Sequence, residues 1–281
     1  MTQPPLALPP VSEPFRLPFH YGALHNVGID LLVDPEPVHK VLSRAHPALV
    51  AADFDGQACV SVNFQLYFAQ YPQGASLTQE IEVNVIAFPR GQEDRLAPLS
   101  YAEYAQGVDQ TRLLGIGRIV VLCDNPFAID AGVALYAEPK HSATFQAVMP
   151  SLNGEESALW SVTARGPGED EPELLTLTAD LTGLPSVTAT NTPITGYGTT
   201  PAGDLLAGPM NVYQPYRLHL LDESTRDRVT IQVSESPSGF GDDLRTLIGD
   251  GPAAGVWTYQ SAPVAAHQRP YFVPTSARHP D

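Results

Sequence analysis

Along much of the chain, apolar and polar residues alternate with period two, the pattern of strands that bury one face. Across 57–68, Val60, Val62, Phe64, Leu66 and Phe68 share one face, and Cys59, Ser61, Asn63, Gln65 and Tyr67 share the other. Across 79–88, Ile81, Val83, Val85 and Ala87 face one way, and Glu80, Glu82 and Asn84 face the other. Further strands are expected at 28–33, 118–123, 133–137, 157–164, 173–179, 216–221, 228–233, 256–260 and 270–273. Residues 165–172 read as the acidic Gly/Pro tip of a hairpin. Helices are expected at 35–46, 101–106 and 242–248, with Pro35 opening the first and Gly249 stopping the last. The result is a β-rich α+β chain with a few short helices.

Residues 183–215 carry Gly, Pro and Thr with little periodicity, and read as one long loop, either a lid or an arm onto a neighbouring subunit. No composition shift marks a boundary, so residues 15–273 are read as one domain. Residues 1–14, rich in proline, and 274–281 read as tails.

Composition narrows the function. The chain has 281 residues, 43% of them hydrophobic, enough for a substantial core. With 15 Lys+Arg against 31 Asp+Glu, its formal charge is −16, so it lacks the basic footprint that nucleic acid or anionic lipid requires. No apolar run is long enough for a membrane-spanning helix, and the N-terminus lacks the regions of a secretory signal. Cys59 and Cys123 are expected as buried, reduced thiols, which places the protein in the cytoplasm. Eight histidines are scattered without ligand spacing, so no metal site is expected and a metal-dependent cupin-like barrel is disfavoured. Glycine-rich phosphate loops and nucleophile elbows are absent. Only two lysines occur, Lys40 and Lys140. Lys40 falls on an expected helix as a solvated charge, which leaves Lys140.

Residues 124–141 read Asp-Asn-Pro-Phe-Ala-Ile-Asp-Ala-Gly-Val-Ala-Leu-Tyr-Ala-Glu-Pro-Lys-His. This segment resembles the acetoacetate decarboxylase family. The pattern of that family is matched without gaps at Asp124, Asn125, Ala128, Ile129, Gly132, Leu135, Pro139 and Lys140. Weaker likeness spans roughly residues 15–273. The resemblance implies an antiparallel sheet closing into a cone-shaped barrel around an apolar cavity, in a homo-oligomer. It also implies that Lys140 forms a Schiff base with a small β-keto acid, without any cofactor. A free lysine, with a pKa near ~10.4, is almost wholly protonated at neutral pH, so the expected activation is burial that disfavours the ammonium. Decarboxylation then leaves an enamine that a nearby acid must protonate.

Several family positions differ here. His141 replaces a second lysine, and Gly132-Val133-Ala134 replaces Gly-Arg-Glu. The cavity arginine of the family has no basic match near Leu24 and His25. Its Tyr-x-Glu motif falls on Leu77-Thr78-Gln79 or Thr78-Gln79-Glu80. The candidate catalytic residues are therefore Lys140, Glu80 and His141, and Gln79, Glu82, Tyr136 and His25 are candidates for substrate binding. Asp124 and Asn125 read as a turn bonded to local backbone, and Gly132 as a close-packing or bulge position. The expected activity is a Schiff-base lyase on a small oxo acid. Aldol condensation–dehydration or cyclisation would use the same lysine. A salt bridge holding Lys140 as an ammonium would instead fit a non-catalytic barrel that binds a small apolar ligand.

Overall fold

The period-two segments become the longest strands of the protein. The computed structural model describes residues 8–71, 74–109, 111–151, 153–154, 157–168, 171–235, 239–249 and 251–273. The expected tails therefore fall partly or wholly outside the described residues. In chain order the elements are β1 (His20–Val33), α1 (Pro35–Ala45), β2 (Leu49–Ala51), β3 (Ala58–Tyr71), β4 (Gly74–Pro89), α2 (Tyr101–Ala105), β5 (Gly115–Cys123) and α3 (Pro126–Tyr136). There follow β6 (Lys140–Ser142), β7 (Thr144–Val148), β8 (Leu159–Arg165), β9 (Glu173–Asp180), β10 (Val187–Ala189), β11 (Ile194–Thr199) and β12 (Leu205–Met210). The chain continues through β13 (Tyr216–Leu220), β14 (Val229–Val233), α4 (Gly241–Ile248) and β15 (Ala253–Gln260).

Eleven strands make one mixed sheet in the order β10-β13-β15-β1-β3-β4-β5-β11-β12, with β2 beside β4 and β6 beside β5. Most neighbours are antiparallel, but β5 pairs in parallel with both β6 and β11. Among the described residues the end strands β10 and β12 do not pair with each other, so hydrogen bonding does not close the sheet into the expected barrel. A second sheet, β14-β9-β8-β7, covers one face of the first.

The two faces of the large sheet differ in kind. Val27, Ile29 and Leu31 of β1, Val60, Val62 and Phe64 of β3, and Ile81, Val83 and Val85 of β4 form the main core. Trp160, Val162, Leu175 and Leu177 of the second sheet pack on them, with Val38, Val41 and Leu42 of α1 and Leu244 and Leu247 of α4. Burying each of the larger side chains removes it from water at a gain of about 1.5–3 kcal/mol. The opposite face carries Asn26, Asp30, Ser61, Asn63, Glu80, Glu82 and Asn84, yet every one of them is buried. Alternation therefore marks a sheet with a core on one face and an enclosed polar surface on the other.

Local rules account for the helices. Asp34 caps α1 by accepting from the Glu36 amide (3.0 Å), with Pro35 in the first turn. Ser100 and Glu103 form a capping box on α2, and Gly249 closes α4 at φ 47°.

Three expectations are corrected. Residues 133–137 are not a strand, because Asn125 caps α3 and Pro126 opens it. Residues 270–273 form no strand. Residues 183–215 are not one loop, since β10, β11 and β12 lie within them and β11 docks on β5 of the same chain. Cys59 and Cys123 are buried and unbridged, as expected. No helix is long and apolar enough to cross a membrane among the described residues.

Asn125 ties α3 to β4. Its Oδ1 accepts from the amides of Phe127 (3.0 Å) and Ala128 (3.3 Å), and its Nδ2 donates to Ser76 Oγ (2.8 Å) and Thr78 Oγ1 (3.0 Å). Asn125→Ala is expected to lower stability by about 2 kcal/mol, and Asn125→Ser, which keeps a capping oxygen, by less. Urea midpoints at unchanged slope would show this order, and equal midpoints for all three chains would refute it.

Candidate functional site

Lys140 stands at the start of β6, the short strand that follows α3. Ala137 ends that helix in the left-handed region (φ 53°), with its amide bonded to Gly132 O. The next residues turn back, and the Val121 amide donates to Pro139 O (3.0 Å). Parallel pairing sets Lys140 beside Val121, and Val121 lies opposite Glu82 on β4. Lys140 therefore shares the polar face of the sheet. A Cβ on Gly132 would sit 2.5 Å from Lys140 Cε and 2.8 Å from its Cδ, so this glycine provides the space for the lysine stem.

Six side chains on this face close a ring. Lys140 Nζ donates to Glu80 Oε1, and Glu80 Oε2 accepts from Gln65 Nε2 (2.9 Å). Gln65 Nε2 also reaches Glu82 Oε1 (3.5 Å), which accepts from Arg118 Nε (3.3 Å). Arg118 pairs with Glu138 Oε1 (3.4 Å), and Glu138 Oε2 returns to Lys140 Nζ (3.4 Å). Tyr67 adds a hydroxyl donated to Glu80 (3.1 Å), and Asn63 and Asn84 donate to Glu82 (3.3 and 3.1 Å). The Lys140 side chain is 6% exposed, and that of Arg118 12%.

The charge state of the lysine reverses the sequence expectation. Burial alone disfavours the ammonium, but Glu80 and Glu138 outweigh it and hold the Lys140 pKa above that of a free lysine. The resting nitrogen is a paired ammonium. Burial pushes Glu82 toward its neutral form, yet Arg118, Asn84, Lys140 and Asn63 prevail and keep its pKa below the usual carboxylate range.

A cavity with about 90 Å³ of free space opens on the same face. At roughly 10–15 Å³ per water by this measure, it holds several waters or a small organic molecule. Glu82, Arg118, Gln65 and Asn63 form one part of its wall, and Lys140 lies beyond Glu82 and Arg118 rather than on the wall itself. The lining is mixed, with Leu114, Ile116, Ile194, Met210 and Val212 facing the polar strands, so the expected apolar cavity is corrected. Ile194, Met210 and Val212 come from the 183–215 segment, which thus builds a wall.

Of the seven candidates, the structure brings together Lys140, Glu80 and Glu82. His141, the next residue along β6, points to the other face, where its exposed ring lies against Phe240, tilted by 39° with centroids 4.9 Å apart. Gln79 also alternates away, with its amide and side chain donating to Asp124 (2.8 and 3.1 Å). Asp124 therefore braces β4 rather than its local turn. Tyr136 packs against the small cluster of Phe15, Ala131 and Leu135. His25 shares the parity of Val27 and Ile29 and leaves the polar face to Leu24 and Asn26. Sequence reasoning missed Arg118, Glu138, Gln65 and Tyr67. Arg118 and Glu138 supply a buried arginine and carboxylate although positions 133 and 134 lack them. Among the described residues, no group of three or more His, Cys, Asp or Glu is arranged to hold a metal ion.

No family model matches the chain, and no curated protein matches it. Solved structures do. MppR, an enduracididine biosynthesis enzyme complexed with pyruvate, is 11% identical over 88% of each chain, with a TM-score of 0.61. An acetoacetate decarboxylase-like enzyme from Sphingomonas wittichii RW1 is 14% identical over 85% of this chain and 88% of its own, at 0.52. A structure of acetoacetate decarboxylase is 12% identical over 89% of this chain and 90% of its own, at 0.51. The chain has the acetoacetate decarboxylase-like fold.

Because the folded pKa of Glu82 is depressed, its stabilising contribution is present above the ordinary value of 4.5 and is lost as pH falls through the folded value. The urea midpoint of the wild-type chain should drop between about pH 5 and pH 3, and Glu82→Gln should flatten part of that drop. An equally steep profile in the variant would refute the assignment.

Proposed function

We propose that the protein is a Schiff-base-forming lyase acting on a small oxo acid, with Lys140 as nucleophile and Glu80 as its proton partner. The observation that carries this reading is the direct contact of a buried Lys140 ammonium with Glu80, behind the part of the cavity wall formed by Glu82, Gln65 and Arg118. The fold supports it, as does the pyruvate bound by MppR, a protein of the same fold.

The paired ammonium is compatible with the chemistry. Proton transfer from Lys140 Nζ to Glu80 leaves a neutral amine and a carboxylic acid. The amine adds to the substrate carbonyl, and after proton transfer within the adduct the Glu80 acid protonates the hydroxyl that departs as water. Ammonium plus ketone thus gives iminium plus water with no net proton gained or lost. The iminium carries the charge of the ammonium it replaces, so Glu80 and Glu138 stabilise both. The neutral amine is the costly species, and it need exist only while Glu80 holds the proton.

From the iminium of a β-keto acid, C–C cleavage would send its electron pair into the iminium carbon–nitrogen system, releasing carbon dioxide and an enamine that an acid then protonates. The same iminium from a 2-oxo acid would lose a proton to give an enamine for aldol condensation–dehydration or cyclisation. His141 has no part in either course, since it faces away from Lys140.

The resting ammonium, and the position of Lys140 behind Glu82 and Arg118, favour a second reading in which the protein binds a small molecule without catalysis. The two separate in one experiment. The protein is incubated with acetoacetate or pyruvate, reduced with borohydride and digested, and the peptide carrying Lys140 is weighed. The first reading expects a reduced adduct on Lys140 and none in Lys140→Arg, which stays folded because it keeps the charge. Absence of any adduct with either acid would leave the binding protein.

A further inference from the structure

The ring around Lys140 occupies one part of the cavity. At the level of Asp30 the strand registers align Gly255, Asp30, Ser61, Asn84 and Arg118 in one row across β15, β1, β3, β4 and β5. Asp30 is thus three strand spacings from Arg118, roughly 14 Å along the sheet. It lines the cavity and is 4% exposed.

Asp30 sits in a prepared place. Tyr101 Oη donates to its Oδ2 (2.9 Å), Trp257 Nε1 to its Oδ1 (3.4 Å), and Ser61 also bonds it. Two glycines clear the way for the first two donors. A Cβ on Gly28 would overlap the Trp257 ring, and one on Gly255 would overlap the Tyr101 hydroxyl. Three donors leave about one acceptor position of the carboxylate unused. No cation is paired with Asp30 among the described residues, and neither Arg112 nor Arg118, the arginines that line the cavity, forms an ion pair with it. Burial outweighs its three hydrogen bonds and pushes the Asp30 pKa up, a shift that a cation placed beside it would oppose.

Two further observations point to what is missing. Asn26 lies four residues earlier on the same strand, roughly 13 Å from Asp30 and past the Trp257 ring, and lines the cavity, 4% exposed, and its buried Oδ1 has no hydrogen-bond partner. Asn191 Oδ1, on another part of the lining, is likewise buried without a partner. Both orphans are acceptors, so what would satisfy them is a ligand with N–H or O–H donors. Asn26 pairs with Tyr259 on β15, and beside it Trp257, Tyr216 and Tyr259 form a corner of tilted and edge-to-face rings, with centroids 5.5–5.9 Å apart, and all three line the cavity. Aromatic faces attract cations.

We propose that this end of the cavity binds an organic cation bearing N–H donors, an alkylammonium or amidinium group, against the Asp30 carboxylate and the ring of Trp257, on the side that leads to Tyr216, Tyr259 and Asn26. A neutral amide would satisfy the orphan acceptors but not the unpaired carboxylate. A carboxylate ligand would be repelled by Asp30 and drawn to Arg112. The inference does not depend on Lys140 acting as a nucleophile.

Acetamidinium, acetamide and acetate test it, being nearly identical in shape with charges of plus one, zero and minus one. Each is titrated into the full-length protein without any oxo acid, and Trp257 emission is followed. Trp160, the other tryptophan, is fully buried in the core on the far side of the sheet. Acetamidinium should saturate the emission change and bind at least about tenfold more tightly than acetamide, with acetate weakest. Asp30→Asn should bring acetamidinium and acetamide to similar affinity. Equal binding of acetamidinium and acetamide by the wild-type chain, tightest binding by acetate, or no response to any of the three would overturn the proposal. The wild-type comparison needs no variant, so instability of Asp30→Asn would not shield the proposal. With no oxo acid present, its failure is also distinct from failure of Schiff-base chemistry.

Discussion

Five charged side chains are buried together on one face of a β-sheet, and the rest of the site follows from how they are kept there. Each such ion costs several kcal/mol to remove from water, and a half-satisfied group would be worse than an apolar surface. The ring solves this by placing Lys140 between Glu80 and Glu138, and Arg118 between Glu82 and Glu138. Gln65 bridges the two carboxylates that would otherwise meet without a cation. Three carboxylates against two cations leave one surplus negative charge. Converting the lysine to an iminium does not alter that balance, so the same enclosure suits the resting protein and the proposed intermediate.

The surplus also bears on what the cavity accepts. One part of its wall carries Glu82 with a saturated Arg118, and another carries Asp30 with no cation at all. A small monoanionic acid would find its cation in Arg112, which lines the cavity and is in no ion pair among the described residues. A molecule with an electrophilic carbonyl near Lys140 and a positive group near Trp257 would match both ends, and the polar strands between them offer amides and hydroxyls to the middle.

Much of this was legible in the sequence, and the failures have physical causes. Period two placed Glu80 and Glu82 on one face and the valines and isoleucines on the other, but alternation alone does not say whether the polar face meets water. Arg118 escaped because of a β-bulge. Strict alternation from Leu122 and Val120 would send it to the core, whereas the register shift between Val83 and Asn84 sets Arg118 opposite Asn84 and turns it to the polar face. Asn125-Pro126 was a readable helix start, overlooked because 133–137 is apolar enough to pass for a strand. β11 and β12 carry Gly196, Gly198 and Gly208, and strand propensity gives no warning of them. Their role is close approach, since a Cβ on Gly196 would overlap the Arg118 guanidinium and one on Gly208 would stand 2.8 Å from the Tyr136 ring. The lysine itself was located by its motif, but its charge state was not. Glu138 precedes Pro139-Lys140 in plain sight, and only the turn after α3 shows that it points back to the amine.

The charge on Lys140 can be read directly, because the chain has only two lysines. Lysine labelled with carbon-13 at Cε gives one resonance from Lys40 and one from Lys140, and the shift of each reports ammonium or amine. If the carboxylates govern the site, the Lys140 signal remains that of an ammonium at pH 10.5, the ordinary midpoint of a lysine, and moves only when Glu80 or Glu138 is replaced by glutamine. A Lys140 signal already that of a neutral amine near pH 8 would show that burial, and not the paired carboxylates, sets its charge.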